Sequence, residues 1–275
     1  MKEYILPILI FLGFGALSGI LLLIASKVLA VKTDETEAKI TEALPGANCG
    51  GCGYSGCAGY AAAVAHDGAP TNLCKPGGAD VMKKINAIMG TEGGEFIREV
   101  AYVRCNGCEK ATKDRFTFTG TKSCAAVEKF YNGKGECRFG CDGYGDCAAV
   151  CSNDAITIAD GVAVVDPAKC GGCGKCVTAC PNHLIFLRKE TSTVALRCSS
   201  KDSGKVTRTV CTNGCIGCKI CEKKCPHGAV IVADNHAVID YDKCTSCGTC
   251  VSACPRKCLV NITCTHSDKA EQADK

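Results

Sequence analysis

Tryptophan is absent from this chain, and Phe, Tyr and Trp together make up only 5% of it, so the rings that fill an ordinary apolar core are missing. Its five histidines, His66, His183, His227, His236 and His266, are scattered, which favours surface residues over metal ligands. No dinucleotide-binding fingerprint, nucleophile constellation or other basis for hydride transfer occurs. Gly50, Gly51 and Gly53 imitate a phosphate loop, but no Lys-Ser/Thr follows them. The formal net charge is +4, with Lys and Arg spread along the chain, which excludes a nucleic-acid face. What is abundant is cysteine, 27 in 275 residues. Bound metal, not a large apolar core, must carry much of the folding energy.

The cysteines are written twice. Cys124, Cys137, Cys141, Cys147, Cys151, Cys170, Cys173, Cys176 and Cys180 recur as Cys198, Cys211, Cys215, Cys221, Cys225, Cys244, Cys247, Cys250 and Cys254, every one shifted by 74 positions. Within each copy a 29-residue step relates Cys141, Cys147 and Cys151 to Cys170, Cys176 and Cys180. Self-similarity of this kind means duplicated structural units.

Three runs read C-x2-C-x2-C-x3-C-P, starting at Cys170, Cys215 and Cys244. This spacing holds cubane iron–sulfur clusters in two-cluster ferredoxins, where three thiolates take one cluster and the fourth reaches to the other. The proline ends each loop because it has no N–H to continue a hydrogen-bonded turn. By this rule Cys151, Cys170, Cys173 and Cys176 share a cluster, as do Cys225, Cys244, Cys247 and Cys250, and Cys215, Cys218, Cys221 and Cys254. The fourth run departs from the pattern, with Tyr144 in the place of the middle ligand and Ser152 in the place of the proline. Cys137 is the expected replacement, giving Cys137, Cys141, Cys147 and Cys180. The second copy carries both Cys211 and Cys218, and Cys218 is the expected ligand because it keeps the usual spacing. Structural zinc is the rival use of paired C-x2-C, but zinc knuckles do not call for sixteen cysteines in repeated runs of four. Disulfides are the other rival, and C-x2-C-x2-C is a poor disulfide framework. The thiols must stay reduced until clusters assemble, which places them on the cytoplasmic side.

Residues 4–25 are almost continuously apolar, long enough to cross a hydrocarbon core of about 30 Å as one helix. They read as a membrane anchor, and Gly15 and Gly19 form a step that admits a second helix closely. A cleaved signal peptide fits less well, because only Lys2, offset by Glu3, precedes the apolar run. Lys27, Lys32 and Lys39 follow it, which favours a cytoplasmic body. Residues 31–43 form a charged linker or short helix. Then Cys49, Cys52 and Cys57 alternate with glycines that let the backbone wrap an inorganic core. Cys57 opens an alanine-rich helix, and Cys74, just before Pro76, closes a fifth 4Fe-4S site.

Residues 80–103 read as helix then strand. Cys105, Cys108 and Cys124 lack a clear fourth partner and are expected as buried or reactive thiols, a sixth cluster or a zinc being the alternative. Cys124 and Cys198 match across the duplication outside any run, which suggests a shared packing role. Cys258 and Cys264 are expected to be spare. After each first run comes a hairpin signal, with Asp160-Gly161 between Ile156-Thr-Ile158 and Val162-Ala-Val-Val165, and Asp234-Asn235 between Val230-Ile-Val232 and Ala237-Val-Ile239.

The apolar N-terminal helix, the G-x-N-C-G-x-C-G-Y-x-x-C module at residues 46–57 and the ferredoxin-like runs together resemble the B subunits of Rnf electron-transport complexes, over nearly the whole chain. The module alone is also similar to one in corrinoid iron–sulfur proteins. The stretch Cys-Arg-Phe-Gly-Cys-Asp-Gly-Tyr-Gly-Asp-Cys at residues 137–147 resembles the first ferredoxin motif of the Rnf family, which supports Cys137 as a ligand. The resemblance implies an oxidoreductase and translocase subunit with no complete active site of its own. It also implies soluble ferredoxin as electron donor, other Rnf subunits as partners in the cell membrane, and NAD reduction coupled to Na⁺ or H⁺ movement. A polyferredoxin subunit of another membrane dehydrogenase and a zinc-binding scaffold are the competing functions.

The expected architecture is a single transmembrane helix, a small α+β iron–sulfur module and two tandem ferredoxin-like α+β modules. Its segments are an anchor at residues 1–30, an N-terminal 4Fe-4S domain at 31–90, a connecting segment at 91–136, two-cluster modules at 137–190 and 191–262, and a polar tail at 263–275.

Overall fold

The computed structural model describes residues 2–28, 34–92 and 94–262. The first helix, α1 (Lys2–Val28), has no polar face to lay against a core, and its described side chains, residues 11–24, are all exposed. Among the described residues no helix is long and apolar enough to cross a membrane. The span expected over residues 4–25 extends past the described side chains of α1 at both ends.

Three helices make the N-terminal unit: α2 (Glu35–Ala43), α3 (Cys57–His66) and α4 (Gly78–Met89). Asp34 caps α2 by accepting from the Thr36 N–H at 3.0 Å, which satisfies one of the free donors of a helix start. Ile40, Tyr60, Val64, Val81 and Ile85 form the core between the helices. The Tyr60 hydroxyl donates to the Pro70 carbonyl at 2.7 Å and accepts from the Leu73 N–H at 3.3 Å. That double contact pins the returning loop and delivers Cys74 to the start of the unit.

The rest of the described chain is two copies of one plan. In the first, β1 (Glu99–Val103) is followed by α5 (Cys124–Tyr131), α6 (Asp146–Ala149), the hairpin β2 (Ile156–Ala159) and β3 (Val162–Val165), α7 (Lys175–Ala179) and β4 (Ile185–Lys189). The second has β5 (Val194–Leu196), α8 (Gly204–Val210), α9 (Ile220–Lys224), β6 (Val230–Ala233), β7 (His236–Ile239), α10 (Thr249–Ala253) and β8 (Leu259–Asn261). Strands β2 and β3 pair with Ile156 opposite Val165, and β6 and β7 pair with Val230 opposite Ile239. Both two-residue turns carry positive φ, 48° and 76° at Asp160 and Gly161, and 47° and 62° at Asp234 and Asn235, as a type I′ turn requires. The outer strands close each copy: β1 pairs antiparallel with β4, and β5 with β8. The two cores are built from Val, Ala, Ile and Leu interleaved with cysteine sulfur, so the thiols take the place that aromatic rings hold in larger cores.

The copies are sewn together. Asn213 Nδ2 donates to the Asn106 carbonyl at 2.9 Å, Thr112 Oγ1 to the Val210 carbonyl at 2.8 Å, and Ser199 Oγ to the Arg104 carbonyl at 3.2 Å. Tyr241 of the second copy donates to the Tyr102 hydroxyl at 3.2 Å.

Candidate iron–sulfur centres

The N-terminal loop brings Cys49, Cys52 and Cys57 within electrostatic reach of Cys74, whose thiol is raised first by burial and then by these neighbours. The Asn48 side chain holds the loop by accepting from the Cys57 N–H at 2.8 Å. Gly51 is seated on the next centre: a Cβ there would lie 2.8 Å from the Cys173 carbonyl oxygen, so only glycine lets the two loops touch.

In the first ferredoxin-like copy, Cys176 sits among Cys170, Cys173 and Cys151, and burial pushes its thiol up to about 12. Backbone donors point at the sulfurs, Ala101 N–H at Cys170 Sγ at 3.3 Å and Ala155 N–H at Cys151 Sγ at 3.4 Å. Arg98, just ahead of β1, donates to the Pro167 and Cys170 carbonyls at 3.0 and 3.2 Å and pairs with Glu190 at 2.6 Å. The outer strand is thereby locked to the cysteine loop.

The second group of this copy stands beside a cavity whose lining differs from the set expected from sequence. A cavity is lined by Cys124, Cys141, Cys147 and Cys180, together with Val103, Ile158, Leu184 and Ile185; Cys137 is not among them. The reason lies in Asp146, whose carboxylate accepts from Ser123 Oγ and from the N–H groups of Cys124 and Ala125, each at 2.9 Å. This anion caps α5 and swings Cys124 to the cavity wall. Tyr144, standing where a middle ligand would be, instead meets the Phe118 ring at 6.0 Å and the Lys134 ammonium at 5.4 Å. The matching pair Cys124 and Cys198 gave a signal at the sequence level that spacing within runs did not use.

In the second copy a cavity is lined by Cys215, Cys218, Cys221 and Cys254; Cys218, not Cys211, lines it. Cys258, expected to be spare, is buried at 1% exposure on the same wall. Its S–H donates to the Asn213 carbonyl at 3.1 Å; the thiol's proximity lowers Cys215 to about 6 and Cys254 to about 5, while its own thiol is driven upward. The last group, Cys225, Cys244 and Cys247 around Cys250, has the Ala229 N–H on Cys225 Sγ at 3.3 Å. Cys105, Cys137, Cys198 and Cys211 line a further cavity. Cys264 lies outside the described residues.

The donor sets fit cubane clusters. Among the described residues every cysteine is a free thiol, and no three His, Cys, Asp or Glu side chains close on a point small enough for a single ion. Tetrahedral zinc at about 2.3 Å per sulfur would draw the thiols to about 3.8 Å of one another. All-thiol sets with N–H groups aimed at sulfur suit an iron–sulfur cube instead. Burial also pushes Cys141 and Cys147 up to about 12 and Cys221 to about 11, so these ligands become thiolates only when a cation replaces their protons.

Loops of this kind in a duplicated hairpin fold define a multi-cluster iron–sulfur protein of the ferredoxin type. The family described as a putative Fe-S cluster matches residues 44–76, and two 4Fe-4S dicluster families match residues 169–229 and 214–259. The match over 169–229 straddles the two copies, whereas the structure pairs the Cys170 run with the segment from Cys141 to Cys151. Over 90% of its length the chain is 40% identical to the B subunit of the ion-translocating oxidoreductase complex of Methanosarcina acetivorans, covering 94% of that protein. It is 43% identical to the B subunit of the Na⁺-translocating ferredoxin:NAD⁺ oxidoreductase complex of Acetobacterium woodii, covering 78% of it. It is also 36% identical to the proton-translocating counterpart of Clostridium ljungdahlii, covering 91%. The chain belongs to the family of B subunits of ion-translocating oxidoreductase complexes of the Rnf type.

Proposed function

We propose that this chain is the membrane-anchored, electron-carrying subunit of an Rnf-type complex, taking electrons from reduced ferredoxin toward NAD reduction coupled to Na⁺ or H⁺ movement in partner subunits. The observation that carries the reading is the succession of all-cysteine groups, from the Cys49 loop seated on Cys173, through the group around Cys176 in the first copy, to the group around Cys250 in the second. The ligand sets are Cys49, Cys52, Cys57 and Cys74; Cys151, Cys170, Cys173 and Cys176; Cys124, Cys141, Cys147 and Cys180; Cys215, Cys218, Cys221 and Cys254; and Cys225, Cys244, Cys247 and Cys250. Clusters filled by four thiolates have no open coordination position and supply one-electron transfer. The chain's own part is to hold each group at a set spacing, aim N–H donors at the sulfurs and exclude water.

The anchor is α1. Its 27 residues extend about 40 Å at 1.5 Å per residue, against a hydrocarbon core of about 30 Å, and the Cys-rich body faces the cytoplasm. A single helix forms no ion pathway, so the coupling ion crosses through partner subunits. The test is anaerobic affinity purification from detergent-solubilised membranes, with identification of partners and EPR after addition of reduced ferredoxin. Co-purification with membrane partners and appearance of reduced-cluster signals are expected. A chain found free of partners, or one that ferredoxin fails to reduce, overturns the proposal.

A further inference from the structure

Four cysteines that the sequence leaves without a common partner meet at the seam between the two copies. Cys105 and Cys137 come from the first copy and Cys198 and Cys211 from the second, and together they line one cavity. This cavity is of the same size as the two ferredoxin-like ones. We propose that Cys105, Cys137, Cys198 and Cys211 hold a further 4Fe-4S cluster that lies between the two modules. The proposal rests on the reading of the chain as a cluster-bearing subunit.

The duplication explains how this set arose from residues with other equivalents. Cys137 and Cys211 occupy matching positions in the two copies and both come to the seam. Cys124 and Cys198 also match, but they part company. In the first copy Tyr144 leaves a ligand position empty of sulfur and Cys124 fills it. In the second, Cys218 already stands at that position, and Cys198 is released to turn the other way.

The local chemistry agrees with a bound anionic cube. The Gly107 N–H points at Cys105 Sγ at 3.3 Å and the Cys215 N–H at Cys198 Sγ at 3.2 Å, the same donor-to-sulfur contacts seen at Cys151, Cys170 and Cys225. A Cβ on Gly107 would lie 3.4 Å from Cys105 Sγ and 3.9 Å from Cys211 Sγ, so two sulfurs from different copies flank one bare backbone position. Arg104 and Arg197 stand in the cavity wall, and no carboxylate lines it. Among the described residues Arg104 Nε is buried with no hydrogen-bond partner, and the charges that Arg197 meets are the thiols of Cys105 and Cys108. Two guanidinium groups without a carboxylate ask for an anion, and a cube with four thiolates carries net negative charge.

Placement gives the site its use. Cys105 lies within reach of Cys141 of the first copy, and Cys198 within reach of Cys215 of the second. A cluster here stands between the innermost centres of the two modules.

The test uses the full chain purified anaerobically in detergent, with iron and sulfide analysis, native mass spectrometry and EPR. Wild type is expected to hold six cluster cores and about twenty-four irons. Cys137→Ala and Cys211→Ala, altered on opposite copies, should each lose about four irons and the same EPR component, and the double variant should lose no more than either single. Cys108→Ala should keep the wild-type count. Wild type with five cores, zinc at this position, retention of iron by either single variant, or additive losses in the double variant would each overturn the assignment. If a variant fails to fold, the core count of the wild-type chain decides. An iron-free wild-type chain would instead sink the broader reading, so the two failures are distinguishable.

Discussion

At the scale of single residues, the informative position is Tyr144. A phenol stands where the repeat calls for a thiol, and Cys124, held by the Asp146 cap, lines the same cavity from outside the run. Cys124→Ala should therefore cost the cluster at Cys141, Cys147 and Cys180, about four irons per chain, and Tyr144→Cys in the same background should restore it. Iron analysis and EPR on the single and double variants check this; a Cys124→Ala chain with full iron would show that another thiol serves. The vacancy at Tyr144 is legible in the sequence and points to Cys137 by proximity; the placement of Cys124 is not legible, because a carboxylate 22 residues from its backbone partner sets it. Charge acts at the same scale. Arg197 beside Cys105 and Cys108 favours the more reduced, more negative state of a cluster at the seam. At a separation of about 8 Å and an effective dielectric near 20 this is on the order of 2 kcal/mol. Arg197→Gln should lower that cluster's potential by roughly 50–100 mV at 59 mV per tenfold, read by EPR-monitored titration, with the other signals unmoved.

At the scale of elements, contact between loops matters more than the regularity of any one of them. Gly51 meets the Cys173 carbonyl with no room for a side chain, so Gly51→Val should push the N-terminal unit off the first module. The expected cost is about 1–3 kcal/mol, seen as a lower denaturant midpoint and slower reduction of the N-terminal cluster, while total iron stays near the wild-type value. The two hairpins were legible in the sequence because Asp160-Gly161 and Asp234-Asn235 carry the positive φ of their turns within two residues. The pairings of β1 with β4 and β5 with β8 were not, since each joins segments more than sixty residues apart and no local pattern announces such a partner. Helix α5 was missed for a related reason: its start is written in the Ser123 cap and in Asp146, far along the chain.

At the scale of the whole molecule, stability and cofactor retention are one property. The cores of both modules contain cysteine sulfur among their buried residues, so removing the clusters removes the cross-links that draw the loops inward. Loss of iron also takes up protons. Burial holds the free thiols of Cys141, Cys147 and Cys176 up near 12 and those of Cys105, Cys137 and Cys221 near 11, so each released ligand is protonated throughout the range from pH 6 to 9. The sign follows: retention of iron weakens as pH falls, by about 1.4 kcal/mol per pH unit for every proton taken up. Incubation with a strong iron chelator under anaerobic conditions should strip the chain faster at pH 6 than at pH 8, with loss of visible absorbance and of circular dichroism running together. Cys215 and Cys254 are the exception, because the proximity of the Cys258 thiol holds them near 6 and 5. The cluster they share should therefore be the last to leave as the solution is acidified, and Cys258→Ala should remove that advantage without reducing the iron bound at pH 8.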